Sequence, residues 1–513
     1  MNIDHFLINL MRLEFGFTAC FHYIFVPLTL GLIFCIACME SLLVLTRNHN
    51  WRIAARFAMR FFVLAWLIGI ATGYPLRHQL NTNWGDYASY VTPVLGQIMA
   101  IESYIGPIML TSVILLALLG DWLWPMLRLT LSWTLTGAMA AQAAAILSMN
   151  AWMQHPTGSN FVMHEVQLLS LTDVFMNPVA IAKTWHTLSA ALVCGTTFIF
   201  VISLVYLYQR RHQALSRLML RLALPLGLLA TLSTLVSGHL SVDYVAHYQP
   251  MKFAAFEGLW EQEDGPAGLS LYGVPNMQNQ QTRDEIKIPY LMSILTGNGL
   301  NGSPLGIREI RQNEAEKIRQ ALQMTPEDGG FQALQGYRAL FTQTRVQSEG
   351  ELDDASVIEL AAQKTVPNVP VLFGSFRVMV SVGMIMLAVF SLPLLLRSRW
   401  RNDQARWSMR CLPWVLPLPW LATMAGWIVA EMGRQPWVIY GYLPTVQAAQ
   451  LPSLNQGVFG LIFYIVCYLI TGMGFVLATR WLVDHGPMAS CVPTSLLQPW
   501  FRHQTKLNRN ESA

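Results

Sequence analysis

The sequence predicts an all-α integral membrane protein with nine transmembrane helices and one long hydrophilic loop between the sixth and seventh helices. Three observations predict this fold. Of the 513 residues, 53% are hydrophobic and only 12% are charged, whereas soluble domains carry roughly 25% charged residues. Nine apolar runs reach the length of about 20 residues that spans a bilayer as a helix. One further segment, residues 241–370, is mostly hydrophilic.

The apolar runs lie on both sides of that segment, which divides the chain into residues 1–240, 241–370 and 371–513. In chain order the runs are residues 15–45, 56–76, 94–120, 128–152, 178–208, 217–240, 371–396, 411–432 and 456–482. No basic leader precedes the first run, so we expect it to enter the membrane uncleaved. Six helices therefore precede the loop and three follow it, ahead of a polar tail.

Basic residues in the short connections predict the orientation, because cytoplasmic loops carry an excess of Lys and Arg. These residues follow the first, fifth, seventh and ninth runs, and they are Arg47, Arg52, Arg56, Arg60, Arg210, Arg211, Arg217, Arg221, Arg397, Arg399, Arg401, Arg406, Arg410, Arg502, Lys506 and Arg509. If the runs alternate in direction, all these residues lie on one side. The N-terminus is then outside and the C-terminus cytoplasmic. The net charge of +4 reflects this topology, and we expect no nucleic-acid partner.

The hydrophilic segment is acidic, and the alternation of the runs predicts that it lies on the outer face. It holds ten Lys and Arg against seventeen Asp and Glu, a net charge of −7. Residues 308–322 have helical character, and we expect Glu314, Glu316 and Lys317 on its solvated faces. Loops of this length with little structure of their own are usually functional or disordered.

The beginning of the loop combines two ionisable residues with aromatic ones. Lys252 and Glu257 follow the sixth run closely and alternate with Phe253, Phe256 and Trp260. A hydrogen-bond donor, a proton acceptor and flat apolar walls suit a ring-shaped, lipid-soluble ligand with exchangeable protons. The same residues also fit an interfacial aromatic belt with a surface ion pair. The residues alone leave both interpretations open.

Five side chains that can bind or assist a metal centre are predicted at one depth, the outer third of the membrane. They are His22, Glu102, His186, Met379 and Glu431. Imidazole and thioether are axial ligands of haem iron, and Arg377 and Arg434 can neutralise haem propionates. Each of these residues taken singly fits ordinary helix packing. Their shared depth favours a cofactor site, since ionisable residues inside the membrane usually face a functional interior.

Several motifs, in their order and spacing, resemble subunit I of the cytochrome bd-type quinol oxidases over nearly the whole chain. The matching stretches are His22-Tyr-Ile-Phe-Val-Pro27-Leu-Thr-Leu-Gly31, Gly69-Ile-Ala-Thr-Gly73, Thr82-Asn83-Trp84, Met149-Asn-Ala-Trp152-Met-Gln154, Val236-Ser-Gly238-His239, Gln249-Pro-Met-Lys252, Ser375-Phe-Arg377-Val-Met379 and Glu431-Met-Gly433-Arg434-Gln435-Pro436-Trp437. The resemblance implies nine transmembrane helices and a quinol-binding loop at residues 241–370.

The resemblance also implies roles for individual residues. His186 and Met379 match the axial ligands of a low-spin haem b. His22 and Glu431 match the axial ligands of two high-spin haems, a second haem b together with haem d or a b-type replacement. The resemblance does not assign either ligand to a particular one of these haems. Glu102 lies beside one of the high-spin haems.

At the quinol site, Lys252 and Glu257 match the pair of the family. Trp427 stands where the family has a tryptophan between haems.

The activity implied by the resemblance is that of a quinol:oxygen oxidoreductase in aerobic respiration. Quinol is oxidised at the outer face, and oxygen is reduced to water with protons taken from inside. The implied partners are quinol, molecular oxygen, a second membrane subunit (subunit II) and a small single-span subunit. The implied location is the bacterial plasma (inner) membrane.

The sequence departs from the family's pattern in two helices. The family has a second glutamate on the third helix, about two turns beyond the position of Glu102, and this chain has Leu110 there. In the second helix, Arg77-His78-Gln79 replaces the usual Glu-Phe-Gln. These changes leave open a haem-binding paralogue without full turnover. A secondary transporter is a third hypothesis, although the chain lacks the internal repeat typical of that class.

Overall fold

A computed structural model describes residues 3–162, 165–263, 265–295, 303–325, 328, 330–348, 352–395, 412–450 and 452–487. Within these ranges the protein is mostly helical, as the sequence predicts. The basic residues that follow the seventh and ninth runs, residues 397–410 and 502–509, lie outside the described part of the chain.

The helices follow the predicted apolar runs and continue into the outer loop. In chain order they are α1 (Ile3–Thr46), α2 (Asn50–Thr82), α3 (Gly85–Tyr90), α4 (Thr92–Leu118), α5 (Pro125–Gln154), α6 (Leu171–Phe175), α7 (Pro178–Tyr208), α8 (Gln213–Tyr248), α9 (Pro250–Glu257), α10 (Leu291–Leu295), α11 (Ile307–Gln323), α12 (Phe331–Gln347), α13 (Asp354–Lys364), α14 (Val369–Leu395), α15 (Leu418–Met432), α16 (Thr445–Ala448) and α17 (Leu454–His485).

Three short antiparallel hairpins complete the described structure. They pair β1 (Ser159–Val162) with β2 (Glu165–Leu168), β3 (Leu269–Asn276) with β4 (Gln281–Ile288), and β5 (Trp437–Ile439) with β6 (Leu443–Pro444). None of them forms a larger sheet, so the helices determine the architecture of the described residues.

In the described residues, seven helical stretches are long and apolar enough to cross a membrane. They are Phe6–Thr46, Asn50–Thr82, Thr92–Leu118, Pro178–Tyr208, Gln213–Tyr248, Asp354–Leu395 and Leu454–His485. The fourth and eighth predicted runs correspond to α5 and α15, which are not among them. Helix α5 carries Gln and Asn side chains together with several Thr and Ser, and α15 has only 15 residues.

The bundle is organised around α1 and α7, which cross at two glycines. A Cβ added to Gly31 would lie 2.7 Å from the backbone nitrogen of Gly195, and one added to Gly195 would lie 2.6 Å from Cα of Gly31. Real Cβ atoms do not approach backbone atoms this closely, so both positions require glycine. The crossing fixes α1, which carries His22, against α7, which carries His186.

We expect Gly31→Ala to lower the thermal midpoint of the detergent-solubilised protein, because the added methyl group meets backbone and not a movable side chain. Overpacking of this kind costs about 1–3 kcal/mol. Gly96→Ala in α4 is the matched control, since nothing lies within 4 Å of its added Cβ. Equal thermal midpoints for the two variants would contradict the close crossing.

The outer loop has more structure than its composition indicates. The predicted helix at residues 308–322 is confirmed as α11, but the prediction that Glu314 is solvated was wrong. Glu314 is 3% exposed and accepts a hydrogen bond from Lys317 at 2.8 Å. Helices α12 and α13 pack on this face of α11 and bury it. Periodicity within one segment does not reveal that two later segments fold back onto it.

The loop helices rest on the chain segment that follows Glu431. A Cβ added to Gly336 of α12 would lie 2.8 Å from the carbonyl carbon of Gly441, so the two backbones are in contact. The rings of Tyr337 and Trp437 meet edge to face with centroids 5.1 Å apart. The outer loop is therefore packed directly against the turn at the end of α15.

Candidate functional site

The ring of His22 on α1 is held by a hydrogen bond at its Nδ1 atom. This atom lies 3.0 Å from the hydroxyl of Thr72 on α2. The Thr72 hydroxyl itself donates to the carbonyl of Ile68 at 2.8 Å, so it accepts a hydrogen bond from Nδ1–H of His22. The lone pair of the His22 ring is then on Nε2.

His186 on α7 is held in the same manner by α8. Its Nδ1 atom lies 3.1 Å from the carbonyl oxygen of Thr234 and 3.2 Å from the hydroxyl of Ser237. A carbonyl only accepts hydrogen bonds, so Nδ1 carries the proton and Nε2 has the free lone pair. Metal-binding histidines usually donate their second ring N–H to a carbonyl or carboxylate in this way, which fixes the ring and raises its basicity.

A glycine faces three of the predicted ligands. An added Cβ would lie 3.4 Å from Cε1 of His22 at Gly73, 3.2 Å from Cε1 of His186 at Gly238, and 3.0 Å from Sδ of Met379 at Gly426. Each of these glycines is on a helix next to the one that carries the ligand. The missing side chains leave room for the ligand side chains themselves, which pack directly against the backbone of the neighbouring helix.

Glu431, at the end of α15, is surrounded by donors from α5, from α7 and from the turn that follows α15. Its Oε2 accepts from Arg434 at 2.5 Å, and its Oε1 accepts from Asn150 at 3.0 Å and from Gln154 at 3.4 Å. The ammonium of Lys183 lies 4.0 Å from Oε1 and also donates to Asn150. The carboxylate is therefore held in a fixed position in a cationic environment.

Trp427, one turn before Glu431, contacts both α1 and α7. Its ring meets that of Tyr23 edge to face at 5.2 Å, and the Lys183 ammonium lies 4.9 Å from its centroid. Tyr23 adjoins His22, and Lys183 is one turn from His186. The tryptophan thus lies between the two helices that carry the predicted histidine ligands.

Lys252 and Glu257, predicted as a pair, face different partners. Lys252 is 2% exposed and donates to the side chain of Gln154 at 2.6 Å, which directs it toward the surroundings of Glu431. Burial and the nearby charge of Lys183 lower the pKa of Lys252 well below its ordinary value. The buried polar side chains therefore form a continuous chain from the outer loop to Glu431.

Glu257 is paired with Arg377. Its Oε2 accepts from the guanidinium of Arg377 at 2.7 Å, and the same guanidinium donates to the carbonyls of Phe256 at 2.5 Å and Ser270 at 2.6 Å. Burial raises the pKa of Glu257 to about 7, although the positive charge of Arg377 opposes the shift. Arg377, predicted as a propionate partner, contacts the outer loop in this arrangement.

An apolar groove of about 490 Å³ opens beside Arg377, between strand β3 and helices α14 and α15. Its walls include Tyr272, Phe373, Val378 and Leu421. The groove has flat apolar walls and one charged wall. It has the size and chemistry of a small-molecule site, which is typically apolar with few polar groups.

Glu102 on α4 lies apart from the cluster around Glu431. Its side chain is hydrogen-bonded to Gln142 of α5, with Arg77 of α2 nearby. Gln142 is eight residues before Asn150, which is about 12 Å along the axis of α5. Leu110, two turns further along α4, is 49% exposed and points away from the bundle.

The sequence interpretation assigned no role to Lys183, Asn150 or Gln154, although all three surround Glu431. Asn150 and Gln154 belong to the stretch from Met149 to Gln154, which contributes to the sequence analysis only as a motif that resembles the family. Lys183 carried a usable signal, because an ionisable residue inside an apolar run, one turn before His186, is expected to face a functional interior.

Comparison with known proteins gives one family and full-length relatives. The sequence model of the family described as "Cytochrome bd terminal oxidase subunit I" matches residues 10–487. "Cytochrome bd-II ubiquinol oxidase subunit 1" of Escherichia coli (strain K12) is 32% identical over 498 residues, which cover 93% of this chain and 96% of that protein.

Two further relatives extend the comparison. "Cytochrome bd ubiquinol oxidase subunit 1" of Bacillus subtilis (strain 168) is 29% identical over 466 residues and 90% of each chain. Among solved structures, "The structure of bd oxidase from Geobacillus thermodenitrificans" matches with a TM-score of 0.78 at 21% identity, over 94% of this chain and 99% of that chain. The structural likeness shows a shared fold.

Proposed function

This chain belongs to the cytochrome bd terminal oxidase subunit I family, and we propose that it is the haem-bearing subunit of a quinol:oxygen oxidoreductase that reduces oxygen to water in aerobic respiration. The observation that carries the proposal is that His22 and His186 are each held through Nδ1, which leaves the lone pair of each ring on Nε2 to bind iron. Absorption spectra of the purified, dithionite-reduced protein, combined with quinol-driven oxygen uptake, test it. A protein without haem would contradict it.

The residues around the ligands fit haem. Within the described residues, Nε of Arg434 is buried without a hydrogen-bond partner, which suits the carboxylate of a bound group. We propose that His186 and Met379 hold a low-spin haem b. His22 and Glu431 then hold the high-spin pair, a second haem b together with haem d or a b-type replacement. When bound, these groups carry electrons from quinol to oxygen.

We propose that quinol binds with its head near Glu257 and its apolar part in the groove beside Arg377. The ion pair engages Oε2 of Glu257, so Oε1 is the atom that accepts a proton from the quinol hydroxyl. Arg377 positions that carboxylate, and its contact with the ring of Phe373 at 3.9 Å holds the guanidinium at the wall of the groove. Lys252, which donates a hydrogen bond to Gln154, belongs to the same proposed site.

The pH dependence of quinol oxidation follows from Glu257. Its pKa of about 7 lies above the ordinary value, so the proton-accepting form is lost as the pH falls through 7. We expect kcat/KM for quinol to fall about tenfold for each pH unit below that value and to level off above it. The measurement is a pH profile of quinol oxidation between pH 5 and 9. A profile that is unchanged in Glu257→Gln would contradict the assignment.

We propose that α5 and α15 complete nine transmembrane helices, which divide the chain into residues 1–240, 241–370 and 371–513. The N-terminus is then outside, the C-terminus is cytoplasmic and the membrane is the bacterial inner membrane. Quinol protons leave on the outside while oxygen takes protons from inside. Vesicles with the oriented complex should therefore become alkaline inside during turnover, and quinol oxidation without that change would rule out this arrangement.

Membership of the family implies a partner, subunit II, and we propose a small single-span subunit in addition. Helix α17 exposes an apolar surface, which indicates that a partner subunit or lipid covers it. That surface includes Phe459, Phe463, Leu469, Ile470 and Met473. The substrates of the assembly are quinol and molecular oxygen.

A second candidate function is a haem-binding paralogue without full turnover. The observation that favours it is Leu110, an apolar residue where the family has a second glutamate. Haem that is reduced by quinol but not reoxidised by oxygen would support this alternative, and oxygen uptake at the rate of quinol oxidation would exclude it.

A further inference from the structure

The cluster around Glu431 contains more positive charge than negative charge. Lys183 and Arg434 form ion pairs with this one carboxylate, and Lys252 lies in the same cluster. Within the part of the chain that the structure describes, Glu431 is the only carboxylate in an ion pair with any of them. The other hydrogen-bond partners of these side chains, Asn150 among them, are neutral amide groups. Lys183 and Arg434 therefore leave an excess of one positive charge over Glu431, and protonation of Lys252 would add a second.

Such an excess is costly when it is buried. Arg434 is 7% exposed and Lys252 is 2% exposed, and the side chain of Lys183 is 17% exposed. Unpaired charges are rarely retained in a site of low dielectric constant, because desolvation disfavours each of them. The excess matches a bound anionic group. The buried Nε of Arg434, which lacks a partner, marks one position where such a group can accept a hydrogen bond.

Lys183 is placed to bind that group. It lies one turn before His186 on α7, its ammonium is over the ring of Trp427, and it reaches Asn150 and Glu431 on the other side. One of its three ammonium hydrogens is engaged by Asn150. Glu431 lies at 4.0 Å, beyond hydrogen-bond range, so hydrogens remain for a carboxylate ligand.

We propose that Lys183, together with Arg434, is the receptor for the carboxylate side chains of a haem bound at the Glu431 site. The proposal rests on the proposed function, since it names a further residue for the same cofactor. The positive charge of Lys183 also opposes oxidation of the nearby iron, so it raises the midpoint potential of that haem.

The test uses Lys183→Met in the full complex, with Lys183→Arg as the conservative variant. Lys364→Met is the matched control, because it removes the same charge from the end of α13, where Lys364 donates to the neutral side chains of Thr344 and Gln347. The readouts are the haem-to-protein ratio, the rate of haem transfer to apomyoglobin, and the midpoint potential of each haem by spectroelectrochemical titration.

We expect Lys183→Met to release high-spin haem about tenfold faster and to lower the midpoint potential of the haem that remains. Lys183→Arg and Lys364→Met should match the wild type in both readouts. Should Lys183→Met fail to accumulate, Lys183→Gln, which can still hydrogen-bond to Asn150, replaces it with the same expectation. Unchanged haem release and potential in these neutral variants would overturn the proposal and leave the proposed function intact. A wild-type complex without haem would overturn both.

Discussion

His186→Ala is expected to remove the low-spin haem signal from the reduced spectrum and to lower quinol-driven oxygen uptake by at least about 100-fold. The ring is held by Thr234 and Ser237, and alanine leaves no side chain to bind iron in its place. Loss of a residue that hydrogen-bonds to a metal ligand already lowers metal affinity or activity by roughly 10–100-fold. Loss of the ligand itself should lower the activity at least as much.

The control for this prediction is His78→Ala, which removes an exposed histidine from α2. That variant should retain the full spectrum and the full rate. The high-spin signals should persist in His186→Ala, because their proposed ligands lie on α1 and α15. An unchanged low-spin spectrum in His186→Ala would refute the ligand assignment.

Glu257→Gln is expected to slow quinol oxidation by about 100-fold, the lower range for loss of a general base. Glutamine can still accept a hydrogen bond from Arg377 but cannot take a proton. Electrons from an artificial donor that reduces the haems directly do not need this carboxylate. Oxidation of such a donor should therefore continue at close to the wild-type rate.

The matched control is Glu261→Gln, since Glu261 is an exposed acid four residues later that pairs with Arg308 on the loop surface. It should leave both rates unchanged. Equal slowing of quinol and artificial-donor oxidation in Glu257→Gln would show that the substitution disturbs the structure and not proton transfer.

The helices were predictable because the bilayer imposes a length and an apolar composition that a single sequence displays directly. The limits of this signal are visible in α5 and α15. Helix α5 contains the amides that surround Glu431, so its function lowers its hydropathy. Helix α15 has only 15 residues and ends at Glu431 itself.

The outer loop was less predictable because its helices pack on partners that are distant in sequence. Glu314 has the periodicity of a solvated residue, but α12 and α13 bury it. The separation of Lys252 from Glu257 has a similar origin. Their five-residue spacing suggests a pair, whereas each is bound by a side chain more than 90 residues away, Gln154 and Arg377 respectively.

Candidate ligands of the site can be proposed from the sequence, but their surroundings cannot. His22, His186 and Glu431 stand out because histidine and glutamate are rare in apolar helices, whereas Met379 is indicated only by its shared depth and by the family resemblance. The charge balance around Glu431 depends on how α5, α7 and α9 pack, which no local pattern records. The position of Lys183 inside an apolar run predicts a functional role, but its pairing with Glu431 is visible only in the structure.

The most direct test of the central claim is anaerobic addition of quinol to the purified complex, followed by admission of oxygen, with absorption recorded throughout. The account predicts that low-spin and high-spin haem signals are reduced by quinol and reoxidised by oxygen, with one oxygen consumed for every two quinols, as four-electron reduction to water requires. Haem that dithionite reduces but quinol does not, or an absence of haem, would contradict the account.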